Sequence, residues 1–465
     1  MKTANVQSVI LAAGSGSRLR SLSDSKPLLS VLGVPLIERN IRSMQEAGLR
    51  EFIVVTGHQA ERLEAFLGQL AERLGVVIRC VHNPDWATTE NGYSVLAAES
   101  LISGPFVLAM ADHLAAPGLL RQLIEQTSND CALTLAVDRR LDNPVVDPTD
   151  VTRVSTRDQR LVAVGKTLTT YDCWDTGFFY CAEPARMFAA LREAGRNGRS
   201  TLSDAVALLA SEAQVAVVNI GQHYWNDVDT PRQLELARQW LLDQNRTKSR
   251  DGPVARHLNR PLSIRLSGWL AAWPVTPNQI SLTSFAMSLA AAALIACGTV
   301  PALVAGGVLA QFASVIDGCD GEIARLKYQS SDYGGWLDAV LDRYADAALL
   351  LGLTWAWASQ AGTALPWLAG ACALTGSFMV SYTADKYDHW AQQQQRTGWR
   401  MGRDLRVLLI ALGAITGLIA PLLWLIALLM NGEALRRVWI LRPRRSAADT
   451  RQVASAPADP AIPRG

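Results

Sequence analysis

Short apolar runs rich in valine and isoleucine recur through the first half of the chain: VQSVILAAG, EFIVVTG, VVIRCV, PFVLAMAD, CALTLAV and QVAVVNI. Between the earlier ones lie LIERNIRSMQEAG and ERLEAFLGQLAERLG, with apolar residues at helical spacing and a closing glycine suited to a helix C-terminus. This alternation predicts an α/β domain over residues 1–245, a mostly parallel sheet with crossover helices. The pattern then changes. Residues 243–263, DQNRTKSRDGPVARHLNRPLS, are polar and charged, and 246–275 read as a linker and membrane-surface helix. From 276 to 442 leucine, alanine, isoleucine and tryptophan dominate, in six segments near 279–297, 301–317, 340–358, 364–383, 406–420 and 422–440. Each approaches the ~20 residues that a spanning helix needs, so an all-α domain of six transmembrane helices is expected. Residues 443–465, poor in apolar side chains, are expected to be disordered.

The connections between these segments alternate in charge. RHLNRPLSIRL, ARLKYQ, RTGWRMGRDLR and RRVWILRPRR are basic, while CGTVP, ASQAGTALP and GLIAP carry no charge. Basic loops mark the cytoplasmic side, which predicts a multi-pass protein of the inner (plasma) membrane with both termini inside. On this reading Arg325, Lys327, Arg396, Arg400, Arg403 and Arg406 share the cytoplasmic face. The alternative, a buried helical bundle in a soluble protein, would not require that regularity. A net charge of +2 gives no global field for nucleic acid, and none is expected as a partner. The seven cysteines form no C-x-x-C pair, so neither a zinc site nor a disulfide framework is indicated. The start, MKTANVQSVILAAGSGSRL, lacks the long apolar core of a signal peptide.

Within the apolar half, DGCDGEIARLKYQSSDYGGWLDAVLD carries Asp317, Asp320, Asp338 and Asp342. A carboxylate at the centre of a spanning helix costs about 2.5–3.5 kcal/mol on insertion scales, so four need compensation. On helices, Asp317 and Asp320 share one face at i,i+3, and Asp338 and Asp342 share another at i,i+4. Two such faces in apposition would repel unless divalent cations lay between them, and all-carboxylate ligation selects Mg²⁺ or Mn²⁺. A polar network without metal would need a Lys or Arg to match each of the acids, and the stretch does not supply one for each. The spacing Asp317-x-x-Asp320-Gly321-x-x-Ala324-Arg325, eight residues, Gly334-x-x-x-Asp338-x-x-x-Asp342 resembles the complete signature of the CDP-alcohol phosphatidyltransferase family. That resemblance implies displacement of CMP from a CDP-alcohol. It makes Asp317, Asp320 and Asp338 metal ligands, Asp342 the base that can also touch metal, and Gly321 and Arg325 nucleotide contacts. Asp346, one turn on, is expected to bond Arg325 or Arg343.

At the other end, VILAAGSGSRLRSLSDSKPLLS is a strand, a Gly/Ser loop and then Lys26. Such a loop offers backbone N–H groups to phosphates, and Arg18 and Lys26 would neutralise a triphosphate. L-A-A-G-x-G-x-R-L with K-P-L downstream resembles the sugar-nucleotide pyrophosphorylase (nucleotidyltransferase) family, with its Rossmann-like fold. By that resemblance Leu11, Ala13, Gly14 and Gly16 line the nucleotide pocket and Lys26 is catalytic. Asp112 ends a strand pattern, where ligands gather in open α/β sheets. Asp112 and Asp227 could share a metal at the α-phosphate; Asp229 would support them, and either of Asp112 and Asp227 could instead cap a helix. Lys166 is a candidate contact for the second substrate's phosphate. His113 receives no role.

ENGYSVLAAES, DTGFFYC, DGPVARHLNRPLS and TPNQIS together resemble the fused enzymes that make CDP-inositol and then di-inositol phosphate phosphate. This resemblance covers nearly the whole chain and places Glu90, Asn91 and Ser94 near the cytidine. The partners implied are CTP, a phosphorylated alcohol such as inositol 1-phosphate and the lipid bilayer, with a homodimer through the transmembrane half as a further expectation. Arg403 and Arg406 are candidates for holding the acceptor's phosphate, or else for anchoring the loop to anionic lipid. The alternatives are the same two chemistries on another phospho-alcohol or phosphonate with a lipid acceptor, or a membrane transferase with a non-catalytic regulatory domain.

Overall fold

A computed structural model describes residues 6–19, 21–128, 130–196, 200–246, 252, 254–393 and 402–442. The expected tail at 443–465 and the basic residues Arg396 and Arg400 lie outside the described residues. The chain divides into two compact units, Met1–Asp243 and Gln244–Gly465.

The first unit is built on one sheet. Its strands are β1 (Gln7–Ala12), β2 (Glu51–Thr56), β3 (Val77–His82), β4 (Phe106–Met110), β5 (Leu133–Asp138), β6 (Arg153–Arg157), β7 (Arg160–Gly165), β8 (Cys173–Cys181) and β9 (Val215–Asn219). They lie in the order β3-β2-β1-β4-β8-β5-β9-β7-β6. The sheet is mixed, not mostly parallel as the pattern predicts. β1 runs parallel to β2 and β4, but β8 inserts antiparallel between β4 and β5. Asp175, Thr176 and Gly177 interrupt the apolar run of β8, which hides it from hydrophobic patterning, and the ladder to β5 is irregular between Asp175 and Phe179.

Successive side chains of a strand point to opposite faces, and β1 shows the consequence. Ile10 and Ala12 join the core beneath helices Leu36–Glu46 and Ala60–Leu74, whereas Val9 and Leu11 join the core beneath Pro184–Arg196 and Leu202–Ser211. Both faces are covered, so every residue of β1 is buried. Loops after β1 and β4 therefore emerge from a rigid, doubly buried edge.

The second unit is helical: α1 (Arg260–Leu270), α2 (Pro277–Ala296), α3 (Val300–Leu326), α4 (Asp332–Ala361), α5 (Leu365–Tyr382), α6 (Ala384–Gln393), α7 (Arg403–Thr416) and α8 (Ile419–Ile440). Thr276 starts α2 with a reciprocal cap, its side chain accepting from the Gln279 N–H, and Pro277 fills the first turn. The six hydrophobic segments are all helical. Among the described residues, α2, α3 and α8 are long and apolar enough to cross a membrane. Among the described residues α4, α5 and the 14-residue α7 do not meet the same measure. Leu428, Leu435 and Val300 point outward and are at least 70% exposed, as lipid-facing side chains would be.

Small residues allow the helices to meet. A Cβ on Gly352 would stand 2.6 Å from the Ala292 carbonyl oxygen, so α4 touches the backbone of α2. α1 is tied to α3 by a buried polar clamp. Glu322 accepts hydrogen bonds from Arg260 and Ser263, both at 2.6 Å, and from Ser267 at 2.7 Å. A fragment ending at Asn245 buries both faces of its own sheet and is expected to unfold cooperatively alone. Within it Phe106→Ala should cost about 3–5 kcal/mol, read from urea denaturation followed by circular dichroism; a broad, non-cooperative transition would contradict this.

Candidate active sites

In the first unit the loop after β1 and the loop after β4 face one another across a cleft of about 330 Å³ lined by Leu11, Gly14, Gly16, Arg18, Lys26 and Asp112. Gly16 has φ +58°, and a Cβ there would stand 2.4 Å from Lys26 Cβ. Glycine thus lets the loop fold over the lysine stem. The Lys26 ammonium is buried and bonds both Asp112 and Asp229. Burial works against its charge, but Asp112, Asp227 and Asp229 outweigh burial and hold it above its ordinary range. Asp229 is thus in direct contact with Lys26. Arg18 bonds Asp150 and lies 3.3 Å from Asp229.

Asp150 also accepts from Lys166 at 2.7 Å, and its hydrogen bonds to Arg18 and Lys166 pull its carboxyl down to about 2. Lys166, Asp150, Asn91, His113, Asp175 and Asp227 line a second cavity of about 180 Å³. His113 Nε2 lies 3.5 Å from Asp227 and 3.8 Å from Asp112, and its Nδ1 donates to the Thr176 carbonyl at 3.0 Å. Burial opposes a charge on this ring, but Asp227 and Asp112 prevail and raise it to about 9. Asp112 Oδ1 and Asp227 Oδ1 are buried with no hydrogen-bond partner. One atom from each of Asp112, His113 and Asp227 can be chosen so that all lie within 4.8 Å, a donor set that fits a divalent ion.

In the second unit Asp317 and Asp320 come from α3, and Asp338, Asp342 and Asp346 from α4. Oxygens of Asp317, Asp338 and Asp342 lie within 4.8 Å of one another, and Asp338 Oδ1 is buried without a partner. These hard donors fit Mg²⁺ or Mn²⁺. Asp320 stands beside this triad, accepting from Ser281 at 2.5 Å and from the Gly321 N–H. Asp320, Asp338, Gly321 and Arg325 line a cavity of about 250 Å³.

The acids do have a cationic match, contrary to what the pattern implies. Arg403 reaches Asp317 at 2.6 Å, Asp342 at 2.8 Å and Asp346 at 3.1 Å. Asp346 does not bond Arg325 or Arg343 as expected. Its second oxygen takes Arg406 at 2.7 Å, and Arg406, 2% exposed, also donates to the Ser377 carbonyl. The partners come from α7, more than fifty residues along the chain, so helix spacing could not reveal them.

Of the remaining residues expected near the nucleotide, Asn91 lines the smaller cavity while its side chain accepts from the Leu202 N–H, and Ser94 is buried beside Asn83. Glu90 is exposed and lines neither cavity. Ala13 is buried, its carbonyl accepting from the His58 N–H. Sequence reading missed Asp150, Asp175, Ser281 and Ser284. The two serines hold Asp320 and Asp317, the latter at 3.0 Å. Their i,i+3 spacing, which puts both on one face of α2, was the available signal.

A family model described as MobA-like NTP transferase domain matches residues 8–205, and one described as CDP-alcohol phosphatidyltransferase matches residues 274–441. A Rubrobacter xylanophilus protein named bifunctional IPC transferase and DIPP synthase is 40% identical over 446 residues, covering 95% of this chain and 98% of its own. The chain belongs to this family. An Aquifex aeolicus protein of the same name is 33% identical over 93% of this chain and 97% of its own. A solved structure of the inositol-1-phosphate CTP transferase from T. maritima is 23% identical, with a TM-score of 0.46. It covers 51% of this chain and 97% of that chain.

For this member the buried Arg403–Asp346–Arg406 arrangement carries a stability consequence. Asp346→Ala leaves the Arg406 guanidinium buried without its carboxylate, which should cost about 3–5 kcal/mol. Thermal unfolding of the detergent-solubilised chain should show a clear fall in midpoint, and an unchanged midpoint would contradict the role given to this pair.

Proposed function

We propose that the chain is a membrane enzyme with two centres. The first joins CTP and 1L-myo-inositol 1-phosphate into CDP-inositol and diphosphate. The second transfers phosphoinositol from CDP-inositol to an alcohol, inositol phosphate, and releases CMP. One observation carries this reading: two separate acidic centres, each with phosphate-suited cations, stand on a chain aligned along 95% of its length with a protein named for both steps.

In the first centre Arg18 and Lys26 receive the triphosphate in the cleft after β1. Lys166 holds the phosphate of the incoming alcohol in the adjoining cavity. A phosphate oxygen attacks the α-phosphorus of CTP, the α–β bond breaks and diphosphate leaves with the bonding electrons. Lys26 stabilises the charge that grows on the departing group. In the second centre Gly321 and Arg325 line the nucleotide cavity. Asp342 takes the proton from the acceptor hydroxyl, whose oxygen attacks the phosphorus bearing inositol. The bond to the bridging oxygen breaks and CMP leaves. Arg403 holds the acceptor's phosphate, while buried Arg406 supports it through Asp346. Asp112 and Asp227 in one centre, and Asp317, Asp320 and Asp338 in the other, would hold Mg²⁺ or Mn²⁺, which would supply charge neutralisation to the phosphates. The chain spans the membrane six times with both termini cytoplasmic, which the alternating basic loops support.

Purified chain supplied with CTP and inositol 1-phosphate should yield di-inositol phosphate phosphate by mass spectrometry. Lys26→Ala and Asp112→Ala should each slow diphosphate release by roughly 100-fold or more while leaving CMP release from added CDP-inositol unchanged. Asp317→Asn, Asp320→Asn and Asp338→Asn should do the reverse, and Asp342→Asn should lose transfer yet keep more of its metal affinity than they do. Near-normal transfer by Asp317→Asn would overturn the assignment of the second centre. In a Cys297→Ser background, a cysteine at Thr299 should react with an impermeant thiol reagent from outside intact cells and one at Gln329 should not. The opposite pattern would invert the topology.

A further inference from the structure

We infer that His113 Nε2 is a ligand of the divalent cation in the first centre, beside Asp112 and Asp227, and that this centre therefore prefers Mn²⁺ to Mg²⁺. The inference rests on the reading of the first unit as a metal-dependent cytidylyltransferase, and it gives a role to a residue that the two-carboxylate scheme leaves idle.

Three observations carry it. Nε2 lies 3.5 Å from Asp227 Oδ2 and 3.8 Å from Asp112 Oδ1. Neighbouring donors on an ion with bonds near 2.1 Å stand about 3.0 Å apart in octahedral geometry and about 3.4 Å apart in tetrahedral geometry. The imidazole therefore needs to move by only a fraction of an ångström. Second, Nδ1 faces the Thr176 carbonyl at 3.0 Å, and a carbonyl can only accept. Nδ1 must donate there, which leaves Nε2 as the ring atom aimed at the carboxylates. A histidine ligand ordinarily has its far nitrogen anchored in this way.

Third, the backbone reserves the space. Gly177 has φ +75°, and a Cβ there would stand 2.1 Å from His113 Cε1, so any side chain at 177 would drive the ring out of place. Asp112 and Asp227 each also carry a buried Oδ1 without a hydrogen-bond partner. Imidazole suits transition metals, whereas Mg²⁺ prefers oxygen. The second centre offers carboxylates alone among its clustered donors. One chain would thus hold two centres of different metal preference.

The test uses the full chain with Asp338→Asn to silence the second centre, loaded with one equivalent of Mn²⁺. Pulsed electron paramagnetic resonance should show nitrogen modulation that changes on ¹⁵N-histidine labelling. His113→Gln should abolish it and lower the ratio of Mn²⁺ to Mg²⁺ affinity by roughly tenfold or more. His113→Asp, which replaces the nitrogen with an oxygen donor, should restore metal binding without the nitrogen signal and so separates a lost ligand from misfolding. Bound Mn²⁺ with no nitrogen coupling would overturn the inference while leaving the metal-dependent reading intact. So would an unchanged affinity ratio in His113→Gln with only the KM for inositol 1-phosphate raised, since His113 would then be a substrate contact. Failure of Mn²⁺ to bind at all, with Asp112→Asn indistinguishable from its parent, would overturn both.

Discussion

Each unit gathers carboxylates that repel one another and must be given positive charge to stay together. At 4 Å two such groups oppose each other by about 4 kcal/mol at an effective dielectric near 20. The first unit answers with Lys26 between Asp112 and Asp229, and the second with Arg403 among Asp317, Asp342 and Asp346. Both cations are largely buried, so neither is screened by water. This concentration of fixed charge suits phosphate chemistry, in which the negative charge of the reacting groups has to be met at the moment it grows.

The scaffolds achieve this differently. In the first unit, acids and cations come from loops at the ends of strands whose two faces are sealed by separate cores. The loops can approach one another because glycine occurs where a side chain would collide, at Gly16 over Lys26 and at Gly177 over His113. In the second unit the acids project from two long helices, one of which, α4, touches the backbone of α2 at Gly352. Ser281 and Ser284 on α2 then orient Asp320 and Asp317. Rigid elements thus hold the acids in both cases, with short polar side chains or main-chain atoms fixing their directions.

The division of labour follows from these environments. The first centre lies beside a second cavity, joined to it through Asp150, which bonds both Arg18 and Lys166. Asp150 thus holds a cation on each side, one from each cavity. Asp346 plays the corresponding part in the helical unit, tying Arg403 to the wholly buried Arg406.

The sequence by itself determined what depends on local spacing. Alternating strand and helix patterns announced an α/β unit, and a change of composition announced a membrane unit. Asp317, Asp320, Asp338 and Asp342 were legible because helical periodicity puts i,i+3 and i,i+4 neighbours on one face. Lys26 and the loop at 14–16 were legible from a Gly/Ser turn after a strand. Contacts between distant segments were not. The antiparallel insertion of β8 was masked by Asp175-Thr176-Gly177, whose polarity breaks the apolar run. Pairing of Arg403 and Arg406 with acids some sixty to ninety residues earlier depends on how α7 packs against α3 and α4. His113 acquired neighbours only when the strand carrying Asp227 paired with its own, register and all. Side-chain period follows from the geometry of one element, whereas partner choice follows from the packing of several, and only the tertiary structure decides that.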